Sequence, residues 1–196
     1  MKKLVGVSPV LTLILLTALV LPAQAGPPTD YVKGILDEVI RIQNDPAMEK
    51  TRAEAIRRII QKNFDFPRMA RDSLGPAYAR LNPGQRQEFE RLFAALFQDS
   101  YTRLVLNFLK RETVTYHKET LEGSQAKVYT TLVRPNETIP VDYLMHTRSN
   151  AYVLYDVIVD GVSILENYKR QFAQVITTKS FDFLMDKMRT QYKAIQ

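Results

Sequence analysis

The chain has 196 residues, with 27 Lys and Arg against 21 Asp and Glu, a formal charge of +6, and neither cysteine nor tryptophan. The length suits one domain with a sizeable core. The missing thiol excludes disulfide staples, Cys-zinc sites, iron–sulfur clusters and thiol catalysis, so packing alone must hold the fold.

The N-terminus reads MKKLVGVSPVLTLILLTALVLPAQA. Lys2 and Lys3 form a basic start, Val10 to Leu21 an apolar run, and Ala23-Gln24-Ala25 a small-x-small cleavage pattern. This is the pattern of a signal peptide over residues 1–25, cleaved before Gly26. The run is too short for a bilayer core, which takes about 20 residues. No second long apolar run follows. The expectation is one soluble α+β domain over 26–196, and an exported chain without cysteine fits the bacterial periplasm.

After the linker Gly26 to Thr29, residues Asp30 to Asn44 place Val32, Ile35, Leu36, Val39 and Ile40 three or four apart, which predicts an amphipathic helix ended by Pro46. Thr51 and Glu54 have the spacing of a capping box opening a helix to about Asn63. Phe64 to Pro76 predicts a short helix with Pro67 in its first turn and Gly75-Pro76 at its close. Asn82-Pro83-Gly84-Gln85 then combines an N-cap, a proline at the first helical position and a capping-box glutamine. The long helix it starts reaches about Lys110, with an apolar stripe of Phe89, Leu92, Phe93, Leu96, Phe97, Leu104, Val105 and Phe108.

The period changes after Arg111. Glu112 to Lys118, Ala126 to Arg134, Ile139 to Arg148 and Ala151 to Asp160 are rich in Val, Thr, Tyr and Ile and are separated by short turns. They predict a four-stranded antiparallel meander. Helical periodicity returns from Ser163 to about Thr177, and a last helix runs from Ser180 to the end. Helices, strands, then helices imply an α+β domain: a curved four-stranded antiparallel sheet packed against N- and C-terminal helices, with room for an apolar cavity between the layers.

Ser163 stands at a strand-to-helix turn, where a hydrolase keeps its nucleophile. Its surroundings, Gly161-Val-Ser163-Ile-Leu165, lack the second glycine of a nucleophile elbow. Both histidines, His117 and His146, precede it, which excludes the hydrolase order of serine, acid, histidine. Ser163 and Glu166 instead have capping-box spacing. The histidines sit on different predicted strands without a local ligand cluster, so neither a metal nor a cofactor is expected. An Asp/Tyr cavity enzyme of the ketosteroid-isomerase type, with Asp156 as base, is the catalytic alternative. Six Lys and Arg between Arg52 and Arg71 make a basic face, but export and the lack of a recognised motif argue against nucleic acid.

Several segments together resemble the MlaC, or toluene-tolerance, family. Asn82-Pro83-Gly84-Gln85-Arg86 with Glu88-Phe89, Leu92-Phe93 and Tyr101 is similar to that family's central helix. Tyr155-Asp156-Val157, Asp160-Gly161-Val162-Ser163 and Asn167-Tyr168-Lys169 through Phe172 resemble its strand-to-helix signature, and Asp65-Phe66, Met69-Ala70-Arg71 and Leu74-Gly75 an earlier segment. Tyr78 and Tyr152 stand where the family often has Trp, and Lys169 where it has Arg; these departures bear on ligand preference more than on fold. The resemblance implies a fold like that of nuclear transport factor 2. It also implies a monomeric, non-enzymatic periplasmic carrier of phospholipid. Such a carrier shuttles lipid between an outer-membrane lipoprotein–porin complex and an inner-membrane ABC transporter with a lipid-binding ring, maintaining outer-membrane lipid asymmetry. A carrier of another apolar molecule, a hopanoid or quinone, is the alternative within binding.

Burying a CH₂ group is worth about 0.8 kcal/mol, so one sixteen-carbon tail carries on the order of 12 kcal/mol of gross transfer energy. A lipid carrier must therefore enclose its tails. Candidate cavity residues are Phe93, Leu96, Phe97, Leu104 and Phe108 on the long helix, Val141, Tyr143 and Met145 on the third strand, and Val153, Tyr155 and Val157 on the fourth. Taken singly each also suits an ordinary core. The fourth strand is apolar on both faces, which a sheet with one wet face does not require.

Overall fold

The computed structural model describes residues 27–109 and 112–196. The expected signal peptide lies outside them. Helix α1 spans Pro28–Asn44 and buries Val32, Leu36, Val39 and Ile42. A 3₁₀ turn over Pro46–Met48 leads to α2, Arg52–Asn63. The expected capping box at Thr51 does not form: its hydroxyl faces Met48 Sδ at 3.8 Å, and Glu54 pairs with Arg58 one turn on. Helix α3, Phe66–Leu74, is capped by Asp65, whose carboxylate accepts from Arg68 N at 3.2 Å.

A one-turn helix, α4 (Pro76–Ala79), precedes α5, Pro83–Phe108. Asn82 and Gln85 complete the expected capping box there, with bonds of 2.9 and 3.0 Å in the two directions. Strands β1 (Thr113–Glu122), β2 (Gln125–Arg134), β3 (Glu137–Arg148) and β4 (Ala151–Val159) then form an antiparallel meander in chain order.

The sheet has five strands rather than the expected four. After β4 the chain turns at Asp160 (φ +49°) and Gly161 (φ +76°) and pairs back as β5, Val162–Ser163. Two central residues with positive φ are what a two-residue type I′ hairpin demands, and glycine meets that demand without Cβ strain. Helices α6 (Ile164–Thr178) and α7 (Phe181–Lys193) close the domain. Ser163 accepts from Glu166 N at 2.9 Å, so it caps α6 as expected. The reciprocal half of that box is absent, because the Glu166 carboxylate takes Lys169 at 3.0 Å.

Two β-bulges interrupt the ladders, at His117 in β1 and at Tyr155 in β4. The second matters most for function. Tyr143 pairs with Val157 and Leu144 with Asp156, but Met145 pairs with Leu154. Tyr155 is thus the extra residue, and every side chain before it changes face. The start of α3 is stitched to this strand: Phe64 bridges Leu154, and Asp65 N donates to Leu154 O at 2.8 Å.

The core runs between the inner sheet face and the helices. Along α5, Phe89, Phe93, Phe97 and Tyr101 stack one turn apart, with successive ring centroids 6.1, 5.9 and 5.4 Å apart. Phe172 and Tyr168 of α6 and the α2–α3 junction rings Phe64 and Phe66 pack edge-on or tilted against this ladder.

Candidate functional site

Beyond Tyr101 the aromatic ladder ends and the layers part. A cavity of about 190 Å³ opens between the inner sheet face and helices α1, α2 and α5. Helix α1 contributes Ile35, Leu36 and Val39, and α2 contributes Ile56, Ile59 and Ile60. Leu104, Val105 and Phe108 come from the end of α5, and Leu132, Val141, Tyr143, Leu154 and Val157 from the sheet. Each side chain is there because its element's apolar face points inward: the periods of α1, α2 and α5, and the alternation of β2 and β3.

Few polar atoms touch this space, and most are satisfied. Asn63 donates to Ile59 O at 2.7 Å and accepts from Tyr31 OH at 2.9 Å. Burial pushes the Tyr143 phenol well above its ordinary value. Tyr101 is likewise raised, by burial first and by the nearby Asp156 carboxylate second. Both stay neutral in any physiological buffer. Arg134, at the end of β2, is the only charged side chain among the described lining residues.

The end of α5 is pinned by side chains rather than by a local cap. Gln43 Nε2 of α1 lies 3.0, 3.3 and 2.9 Å from the carbonyls of Val105, Leu106 and Leu109. Arg134 Nη2 donates to Phe108 O at 2.8 Å. These bonds satisfy carbonyls that the helix leaves without an internal partner, and they fix one wall of the cavity.

Of the residues expected in the cavity, Leu104, Phe108, Val141, Tyr143 and Val157 line it. The other six do not. Phe93 and Phe97 belong to the aromatic ladder, and Leu96 faces a separate groove between α5, α6 and α7. Met145 is fully buried one step further along β3, closed over by core. Simple alternation puts Val153 and Tyr155 on the face of Val157, and the bulge breaks that alternation. Tyr155 lies on the outer face, with its ring under Arg68 at 3.6 Å and its hydroxyl on Gln125 at 3.1 Å. Leu154 takes the inward place instead. Nothing in the residue order Leu-Tyr-Asp signals this. The isoleucines of α1 and α2, by contrast, carried a signal in their helical spacing.

The residues of the catalytic alternative are held elsewhere. Asp156 does not line the cavity; its Oδ1 accepts from Val157 N and Leu165 N at 2.8 and 3.0 Å, and its Oδ2 from Ser163 Oγ at 2.5 Å. His146 Nε2 is 2.9 Å from Asp65 Oδ2, and His117 Nε2 is 2.8 Å from Thr131 Oγ1. Each is a local tie between elements. What remains at the site is an apolar cavity open to solvent on one side, whose chemistry is to accept an apolar guest.

Residues 33–190 match the family profile described as MlaC protein. Among curated proteins, the chain is 22% identical over 121 residues to the intermembrane phospholipid transport system binding protein MlaC of Haemophilus influenzae. That match covers 59% of this chain and 56% of the relative, so it spans little more than half of the relative's length. Among solved structures, the fold resembles the phospholipid-binding protein of Ralstonia solanacearum in complex with a phospholipid. The TM-score is 0.70 at 23% identity, covering 84% of this chain and 97% of that one.

Proposed function

Since the chain belongs to the MlaC family, we propose that it is a periplasmic phospholipid carrier that shuttles lipid between the two membranes without altering it chemically. The observation that carries this reading is the cavity, bounded by α1, α2, α5 and the inner sheet face, whose lining is almost wholly aliphatic and aromatic. A lipid tail is long, apolar and without hydrogen-bonding groups, so such a lining rewards it and penalises polar guests. The relatives' names point the same way.

The sequence has no phosphate-binding loop of the Gly-x-x-x-x-Gly-Lys-[Ser/Thr] kind. Energy for directed movement then comes from partners: an inner-membrane ABC transporter with a lipid-binding ring on one side, an outer-membrane lipoprotein–porin complex on the other. The carrier's contribution is to keep tails out of water during transit.

The test is native mass spectrometry of the full chain expressed with export in bacterial cells and purified gently. Phospholipid masses bound at defined stoichiometry are expected. Protein that arrives free of lipid, or bound to a hopanoid or quinone, would overturn the phospholipid reading.

A further inference from the structure

We infer that the outer edge of β1 pairs with the same edge of a second copy of this chain, joining two sheets into one across a two-fold axis at Thr120. The sheet treats its two edges differently. At the β4 edge, β5 pairs with Ile158 and Val159, and Phe64 bridges Leu154. At the other edge β1 pairs only with β2, and among the described residues no backbone bond from another element reaches it. Such an edge is a template for another strand unless bulges, prolines or isolated charges blunt it. Strand β1 has one bulge, at His117, which leaves Lys118 to Glu122 as a regular run. Leu121 in that run is 58% exposed, the highest value among the described large hydrophobic residues. No β1 residue lines the cavity, so this pairing leaves the site open and stands independently of the carrier reading.

The register follows from the hairpin. Gly123 and Ser124 form a two-residue turn, so the closing pair, Glu122 and Gln125, is a hydrogen-bonded one. Bonded and non-bonded pairs alternate along an antiparallel ladder, so Lys118, Thr120 and Glu122 point their backbone groups at β2. Glu119 and Leu121 point theirs outward. A partner strand must match outward residue to outward residue, and Glu119 against Leu121 of the second copy does so. That register closes four backbone hydrogen bonds about the two-fold axis. It also sets Lys118 opposite Glu122 of the second copy, twice over, and Thr120 opposite itself, all on the outer sheet face. Lys118 lies over the Tyr129 ring at 4.8 Å, and both it and Glu122 are exposed. On the inner face Leu121 meets its own counterpart diagonally. The Glu119 carboxylate is held within its own chain, accepting from Thr29 N at 2.8 Å. Moving the register two residues sets Glu119 against Glu119 in one direction, and in the other leaves Lys118 opposite Ser124 of the turn. Only one register pairs the charges.

The contact is isologous, so it closes at two copies and does not propagate. Five paired residues a side fall well short of the roughly 20–30 of a standard interface, so the dimer is weak and concentration-dependent. The monomer that the family likeness implies is its dilute form. Sedimentation velocity of the exported protein from about 5 to 500 μM should show dimer rising with concentration. Lys118→Glu and Glu122→Lys each set like charges against one another and should weaken association about tenfold. The double variant restores opposite charges in reverse order and should return to within about threefold of wild type. The chain has no cysteine, so Thr120→Cys is a clean reporter. Directly opposed residues of a non-bonded pair lie about 4.5 Å apart, within disulfide range. Under mild oxidation at high concentration Thr120→Cys should form a covalent dimer, and Thr115→Cys, beyond the bulge on the same strand, should not. Wild type that stays monomeric throughout overturns the inference, as do single reversals that associate like wild type. It also fails if the double variant is as weak as the singles, or if Thr120→Cys cross-links no better than Thr115→Cys.

Discussion

Asp156 illustrates how one side chain can resemble catalytic machinery while serving the backbone. Its carboxylate ties β4 to the first turn of α6 through Leu165 N and the Ser163 hydroxyl, and Ser163 in turn caps that helix. Burial raises its pKa above the ordinary 3.8, and the bonds from Ser163, Leu165 and Val157 offset only part of that rise. The native state therefore holds the proton more tightly than the unfolded chain does. Stability linked to Asp156 is greatest below the unfolded value near 3.8 and falls as pH rises through the raised native value. Comparing urea unfolding of Asp156→Asn and wild type at several pH values isolates this group. The difference should shift in the variant's favour as pH climbs through that window, then level off. A shift in the opposite direction would mean the hydrogen bonds outweigh burial.

Helix α5 performs two tasks with one stripe. Phe93, Phe97, Leu104 and Phe108 all fall near one helical face, so periodicity groups them. What differs is the layer opposite. Tyr168 and Phe172 of α6 close over Phe93 and Phe97, whereas Leu104 and Phe108 face a gap before the sheet. Tyr101 is the junction, packed on Phe97 and Phe64 yet lining the cavity. Substitutions should separate the two tasks. Phe93→Ala, deep in the ladder, should cost roughly 3–5 kcal/mol in denaturant unfolding. Leu104→Trp, at the half-buried cavity wall, should leave unfolding nearly unchanged and lower bound lipid several-fold by mass spectrometry. Equal effects of both on lipid would erase the distinction. Periodicity revealed the stripe because it depends on residues a few places apart. Which part of it stays uncovered depends on residues some seventy positions downstream.

At the scale of the whole domain, the cavity of about 190 Å³ is smaller than the roughly 300–1,000 Å³ of a typical small-molecule site. Seating tails then requires the walls to part. The wall held by Gln43 and Arg134 hangs on side-chain bonds to the last carbonyls of α5 and is not covered by the aromatic ladder. Bound lipid closes what is otherwise a void, so loading should stabilise the fold. A ligand at about a hundred times its Kd adds about 2.7 kcal/mol, and a chain of this size gains about 2–4 °C per kcal/mol. Delipidation should therefore lower Tm by about 5–10 °C, restored on reloading with phospholipid in differential scanning calorimetry. Identical melting of loaded and stripped protein would place the lipid outside the cavity.

The order of the main elements, the Asn82 and Ser163 caps and the inward faces of α1, α2 and β3 were all legible in the residues, because each depends on local geometry repeating over a few positions. The family likeness was legible too, in motifs spread along the chain. The two-residue fifth strand was not, nor the bulge at Tyr155 that turns Leu154 inward and sends Tyr155 out, nor the place where α6 stops covering α5. Those arise when strands pair and layers meet, where a one-residue shift in register or a few ångströms between layers separates core from cavity. Local pattern says which side chains avoid water; long-range packing decides whether protein or a guest surrounds them.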